Sequence, residues 1–196
     1  MIRKPALATL AVFALTGFSS AALAHVGDHP HMSFAEGLAH PFTGLDHMLA
    51  MVAVGLWASQ LGRPALWVLP AVFPLVMAIG AVFGMSGRDL PWLEIGVAGS
   101  VLVLGAAIAL SLRPSLALSV ALVAGFALLH GYSHGAELPA DVSGLTFAIG
   151  FIVATLVLHA IGIGLGLVAN RMPVRYLAQS AGAAIAAAGL VLLATA

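Results

Sequence analysis

Cysteine is missing altogether from this 196-residue chain, which excludes disulfides, thiolate metal sites and thiol catalysis. Charge is almost missing as well. Seven basic and seven acidic residues make up 7% of the sequence, where a soluble domain carries roughly a quarter. So few charges cannot clothe a water-facing surface, so most of the chain must face lipid or other helices. The formal net charge is zero, which argues against nucleic acid or any acidic polymer as partner. A Gly-rich, Lys-bearing phosphate loop is also lacking, and the polar connections are too short to hold a nucleotide site, which argues against a nucleotide-driven pump.

What remains is apolar. Hydrophobic residues are 62% of the chain, and the class expected is an all-α integral membrane bundle. The N-terminus reads as a secretory signal over residues 1–24. Arg3 and Lys4 are its basic start, residues 6–18 its apolar core, and Ala22-Leu23-Ala24 its small-residue site for cleavage before His25. That core is short of the roughly 20 residues a span needs; the alternative is an uncleaved first helix. Residues 25–37 then form a His-containing external segment, and residues 38–196 a domain of six transmembrane helices. Breaks at Pro and charge clusters place these at about 38–60, 64–85, 91–111, 114–134, 143–169 and 175–196. Connections such as Gly62-Arg63 and Leu112-Arg113 are short, so successive helices should be antiparallel. Gly162, Gly164, Gly166 and Gly182 suit close backbone approach between membrane helices.

Charge orients the bundle. With the N-terminus outside, the inner loops hold Arg63, Arg113, Arg171 and Arg175, and the outer loops hold Arg88 beside Asp28, Glu36, Asp89, Glu137 and Asp141. Four basic residues against one satisfy the positive-inside rule. The expected setting is a cell membrane with these Arg-bearing loops in the cytoplasm and both mature ends outside.

Histidine is the residue type in excess, with eight copies. An ionisable side chain inside a span is costly and marks function by default. One group is His40-Pro41-Phe42-Thr43-Gly44-Leu45-Asp46-His47 at the start of the first helix. Pro41 suits a first helical turn, and His40 and His47, seven apart, return to nearly one face. Asp46 either ligates or orients a neighbouring ring. The other group is His130-Gly131-Tyr132-Ser133-His134-Gly135-Ala136-Glu137 at the end of the fourth helix. There residues 130, 134 and 137 share a face if the helix runs that far. Both motifs fall at the outer end of their helices, as does Glu94 in the third. The candidate metal site is therefore His40, Asp46, His47, Glu94, His130, His134 and Glu137. Imidazole with carboxylate suits Ni, Co, Zn or Cu in the divalent state. His25, His29 and His31 form a tract that either captures metal at the entrance or is simply a solvated tail. Pro70 and Pro74 should disturb the ladder of the second helix. Phe73 between them is a candidate apolar gate, and His159 a candidate relay.

The two motifs, His40…Asp46-His47 and His130-Gly131…His134-Gly135-Ala136-Glu137, resemble those of the HupE/UreJ family of nickel or cobalt permeases. A cleaved signal followed by six helices resembles the family too, so the likeness covers nearly the whole chain. Leu129, where that family commonly has Phe, and Ser133, where it has a small apolar residue, depart from its pattern without touching a proposed ligand. The resemblance implies a permease, not an enzyme, that takes Ni2+ or Co2+ into the cytoplasm for hydrogenase or urease assembly. It implies no permanent cofactor, and partners limited to the ion and the bilayer. Two other classes remain at this stage: a membrane-embedded zinc hydrolase, with Ser133 or Asp46 assisting, and a b-type haem protein with paired axial His.

Overall fold

The computed structural model describes residues 33–137, 144–171 and 176–196. The expected signal sequence and the His25, His29 and His31 tract lie outside the described residues. Those described form seven α-helices: α1 Phe34–Ala39, α2 Leu45–Leu61, α3 Ala65–Gly84, α4 Leu93–Ala109, α5 Leu116–Glu137, α6 Leu145–Arg171 and α7 Leu177–Thr195. A 3-10 turn, His40–Phe42, joins α1 to α2, and there is no strand among the described residues. Helices α3, α5, α6 and α7 are long and apolar enough to cross a membrane; α1 and α2 form a fifth crossing if their bent pair counts as one span. Helix α4 is shorter, at 17 residues.

The first expected helix is not continuous. Its two parts meet at 82° across residues 43–44. The local sequence explains the break. Ser33 caps α1 by accepting the Glu36 N–H while Glu36 accepts the Ser33 N–H, a reciprocal cap that fixes where α1 starts. Pro41 then sits in the tight 3-10 turn, where its fixed φ is tolerated and its missing N–H costs little. Gly44 is extended, at φ −101° and ψ 119°, and begins α2 afresh. His40 and His47 therefore do not share a helical face; the bend, not the seven-residue spacing, sets their relation. Helix α1 also runs across position 38, the expected domain boundary, and packs on α6: Gly37 lies against the Phe147 carbonyl and Gly150 against that of Phe34.

The tightest pairings join helices that are not consecutive in sequence. Gly131 and Gly135 of α5 lie against the Met77 and Ala81 carbonyls of α3, and Gly80 and Gly84 of α3 lie against Leu128 and Tyr132 of α5. Numbers rise together along both helices, so the pair is parallel. Helices α2 and α6 are also parallel: Gly162 lies against the Val52 carbonyl and Gly166, one turn on, against Ser59. Helices α4 and α7 are antiparallel, through Gly105, Gly182 and Gly189. Small residues let backbones approach where apolar burial gives no drive within lipid. Gly164, by contrast, faces open space. Gly164→Ala is expected to leave folding intact and to raise the melting temperature slightly, because Ala favours a helix over Gly by about 1 kcal/mol; thermal unfolding in detergent checks this.

Parallel α3 and α5 put the connections bearing Arg63 and Arg113 at one end of the bundle, and Arg88 with Glu137 at the other. Helix α3 runs unbroken through Pro70 and Pro74. Each proline lacks an N–H, so the carbonyls four residues earlier, those of Leu66 and Pro70, have no helical donor.

Candidate metal centre

Helix α5 continues to Glu137, so residues 130, 134 and 137 do line one face. The 3-10 turn brings His40 over that face. His40 Nε2 lies 3.2 Å from His134 Nδ1 and 3.6 Å from Glu137 Oε2, while His134 Nδ1 is 3.9 Å from the same carboxylate oxygen. One ligand atom from each of the three falls within 4.8 Å of the others, compact enough for one ion to reach all three. His134 is buried and Glu137 exposed, so the trio opens outward with its carboxylate at the mouth.

A second set lies one turn deeper. Asp46 stands in the first turn of α2, where the helix dipole favours a carboxylate. Its Oδ1 accepts the His47 backbone N–H at 2.8 Å and meets the ring Nδ1 of His47 at 2.6 Å. That contact holds the proton on Nδ1 and leaves the Nε2 lone pair free. His130 is held in the same way: its Nδ1 donates to the Phe126 carbonyl at 2.9 Å, so its Nε2 is also a free lone pair. The Nε2 atoms of His47, His130 and His134 are all buried without a hydrogen-bond partner. Their rings cluster, with centroids 4.3 Å apart for His47 and His134 and 5.1 Å for His47 and His130. Buried polar atoms are normally satisfied, so three such Nε2 atoms on neighbouring rings mark a place suited to a cation, although among the described residues the outer trio is the group whose ligand atoms all fall within 4.8 Å of one another. His134 is common to both groups: its Nδ1 faces His40 and Glu137, and its Nε2 is among the buried atoms without a partner.

The role of Asp46 is thus to orient His47. Asp46→Asn keeps the shape but exchanges a carboxylate for a weaker acceptor, and should weaken Ni2+ binding by about 10- to 100-fold; calorimetric titration of the purified protein measures it.

Glu94 is the member of the expected set that stands apart. It is exposed and opens into a separate cavity of about 370 Å3 shared with Arg88, Asp89, Trp92, Tyr132 and Ala136. Tyr132 and Ala136 each lie two residues, about 200°, around α5 from His134, so that cavity is on the other face of the helix. Phe73 is fully buried and packs edge-on to His130 (centroids 5.7 Å) and to His159 (5.3 Å). Phe147 and Phe151 of α6 complete the apolar wall, Phe151 lying 4.4 Å from the His134 ring and Phe147 5.4 Å from that of His40. Nothing in the chain's pattern marks these two, which are ordinary apolar positions until the bend of α1 folds His40 onto them.

Long apolar helices around a partly buried cluster of imidazoles and carboxylates define a multi-pass membrane protein with a candidate metal site at one end of the bundle. The chain belongs to the HupE/UreJ family: the model of the HupE / UreJ protein matches residues 13–192. It is also 44% identical over 185 residues to Protein HupE of Rhizobium leguminosarum bv. viciae, covering 94% of this chain and 95% of that one. No solved structure matches it.

Proposed function

We propose that the protein is a permease that carries a divalent transition metal ion, Ni2+ or Co2+, inward across a bacterial cytoplasmic membrane for hydrogenase or urease maturation. The observation that carries this reading is that His134 belongs both to the open outer trio and to a deeper cluster of rings, with His47 and His130, whose Nε2 atoms have no hydrogen-bond partner. A purely structural or catalytic site needs one ligand set. Two sets joined by a common residue suit an ion that moves from one to the next, since each is incomplete without His134. Imidazole and carboxylate donors fit these metals, and conduction needs several sites of modest strength, not one deep well.

In the proposed mechanism Glu137 and His40 take the ion from outside and His134 removes part of its water shell. The ion then passes to the Nε2 atoms of His134, His47 and His130, with Asp46 holding His47 in the tautomer that can ligate. Glu94, in its own cavity, raises the local cation concentration near the mouth. In this reading the bent α1–α2 pair and α4 complete six crossings, with both mature ends outside and Arg63 and Arg113 inside, as the charge bias requires. The haem alternative is disfavoured by packing: imidazole centroids 4.3 to 5.1 Å apart, with rings edge to face, leave no flat slot for a porphyrin.

The test is uptake of radioactive nickel by a nickel-starved bacterium lacking its own transporters. Expressing this chain should raise accumulation, and Asp46→Asn should reduce the gain. Failure to raise uptake of either Ni2+ or Co2+, with the protein present in the membrane, overturns the reading.

A further inference from the structure

Below both trios lies a buried imidazole that the mechanism so far does not use. His159 is 1% exposed, and neither ring nitrogen closes a well-formed hydrogen bond. The Pro70 carbonyl, freed because Pro74 has no N–H to offer it, interacts with the ring. A neutral imidazole buried this deeply normally has both nitrogens satisfied, since leaving a polar group unpaired costs about 1–3 kcal/mol.

Its position is as specific as its environment. Phe147, Phe151, Thr155 and His159 recur every four residues along α6 and are all buried, so they form one stripe. The upper end of that stripe packs on His40 and His134, and eight residues separate Phe151 from His159. At 1.5 Å per residue the stripe places His159 about 12 Å deeper than the outer cluster. Gly55 of α2 lies against the His159 carbonyl, six residues before the end of that helix at Leu61, or about 9 Å from its inner end. Between His130 and His159 stands Phe73, in ring contact with both. Thr155, one turn above His159, donates its hydroxyl hydrogen to the Phe151 carbonyl at 2.9 Å, which leaves the lone pairs of Oγ1 available.

We propose that His159, its ring oriented by the Pro70 carbonyl, and the Thr155 hydroxyl form an inner binding station for the transported divalent metal ion. The proposal rests on the permease reading above. The station offers one imidazole nitrogen and one neutral oxygen, with no carboxylate. It therefore binds more weakly than the outer cluster, as the release side of a transport path requires. The proline pair in α3 has a function in this arrangement: it exposes a backbone carbonyl at membrane depth, where irregular backbone is tolerated if it lines a cavity or a site.

Ni2+ titration of the purified full-length protein tests this, with nickel uptake in cells as the second readout. The wild-type protein should bind Ni2+ in a tighter outer phase and a weaker inner one. His159→Gln should lose the weaker phase, keep the tighter one and lower uptake at least about 10-fold. Pro74→Ala, which gives the Pro70 carbonyl back its helical donor, should weaken the same phase without altering any histidine. In the wild-type protein with isotopically labelled histidine, paramagnetic Ni2+ should broaden the His159 ring signal only as the weaker phase fills, a readout that does not depend on a variant folding. A His159 signal untouched at saturating Ni2+, or His159→Gln with unchanged stoichiometry and uptake but a lower melting temperature, overturns the proposal and makes His159 a prop for the proline break. The two readings fail separately. If His134→Ala loses binding while His159→Gln does not, only the inner station is wrong; if the wild-type protein itself raises no uptake of Ni2+ or Co2+, the permease reading falls.

Discussion

His134→Ala is expected to reduce nickel accumulation by at least about 100-fold while leaving the protein in the membrane at its normal level. Among the described residues it joins the outer trio to the deeper rings. Its Nδ1 lies 3.2 Å from His40 Nε2 and 3.9 Å from Glu137, its Nε2 is buried without a hydrogen-bond partner, and its ring packs on that of His47. Removing the ring leaves two donors in each set, and losing a single metal ligand worth about 2.7 kcal/mol already weakens binding 100-fold. The packing loss is modest by comparison, because Phe151 and the α3 backbone still close that wall. The effect should thus fall on binding and transport, not on assembly. Glu137→Gln should be milder, at about 10-fold, because Glu137 is exposed and serves only the outer trio. Parallel measurement of uptake and of membrane-extracted protein separates the two effects. Uptake by His134→Ala within twofold of wild type would remove the shared histidine from the mechanism.

The second large effect should appear in stability. Gly131→Leu and Gly135→Val are expected to prevent α3 and α5 from closing, so that little folded protein is recovered from the membrane. A Cβ on Gly131 would collide with the Met77 carbonyl, and one on Gly135 with that of Ala81. Neither obstacle is the end of a flexible side chain; each is helix backbone, which moves only if the whole helix moves. Overpacking in a core that can adjust costs about 1–3 kcal/mol, and here the adjustment would also displace Gly80 and Gly84 from their contacts on α5. Because His130 and His134 alternate with these glycines, separation of the helices also opens the ligand set. Size-exclusion profiles and melting temperature in detergent provide the readout, with Gly164→Ala as the benign comparison. Wild-type melting of Gly131→Leu would show that the two helices are not held by this contact.

Much of the candidate metal site was legible in the sequence, for a simple reason. Histidine and carboxylate in apolar helices are costly enough that they stand out residue by residue, and the four-and-three spacing of His130, His134 and Glu137 survives intact because it is a property of one helix. The same logic misled for His40 and His47. Their spacing of seven is meaningful only on a continuous helix, and the Pro41 turn and extended Gly44 interrupt it. Glu94 was assigned by depth alone, and depth says nothing about which way around the bundle a residue faces; it opens onto the far side of α5. The glycines of the second motif were legible as a place for a close neighbour, but not which neighbour.

The sequence by itself determined the class: a cysteine-free, charge-poor chain of apolar helices with imidazoles and carboxylates gathered toward one end. Composition, spacing within a helix and end-to-end charge bias are local or additive properties, so they can be read without a fold. Only the tertiary structure decided that α3 lies beside α5 and α2 beside α6, that His40 reaches His134 across a bend, that Asp46 orients His47, and that the His134 ring packs on that of His47. Those facts depend on which helix faces cross and at what angle. Backbone contact through glycine sets that geometry, and no periodicity along a single chain encodes it.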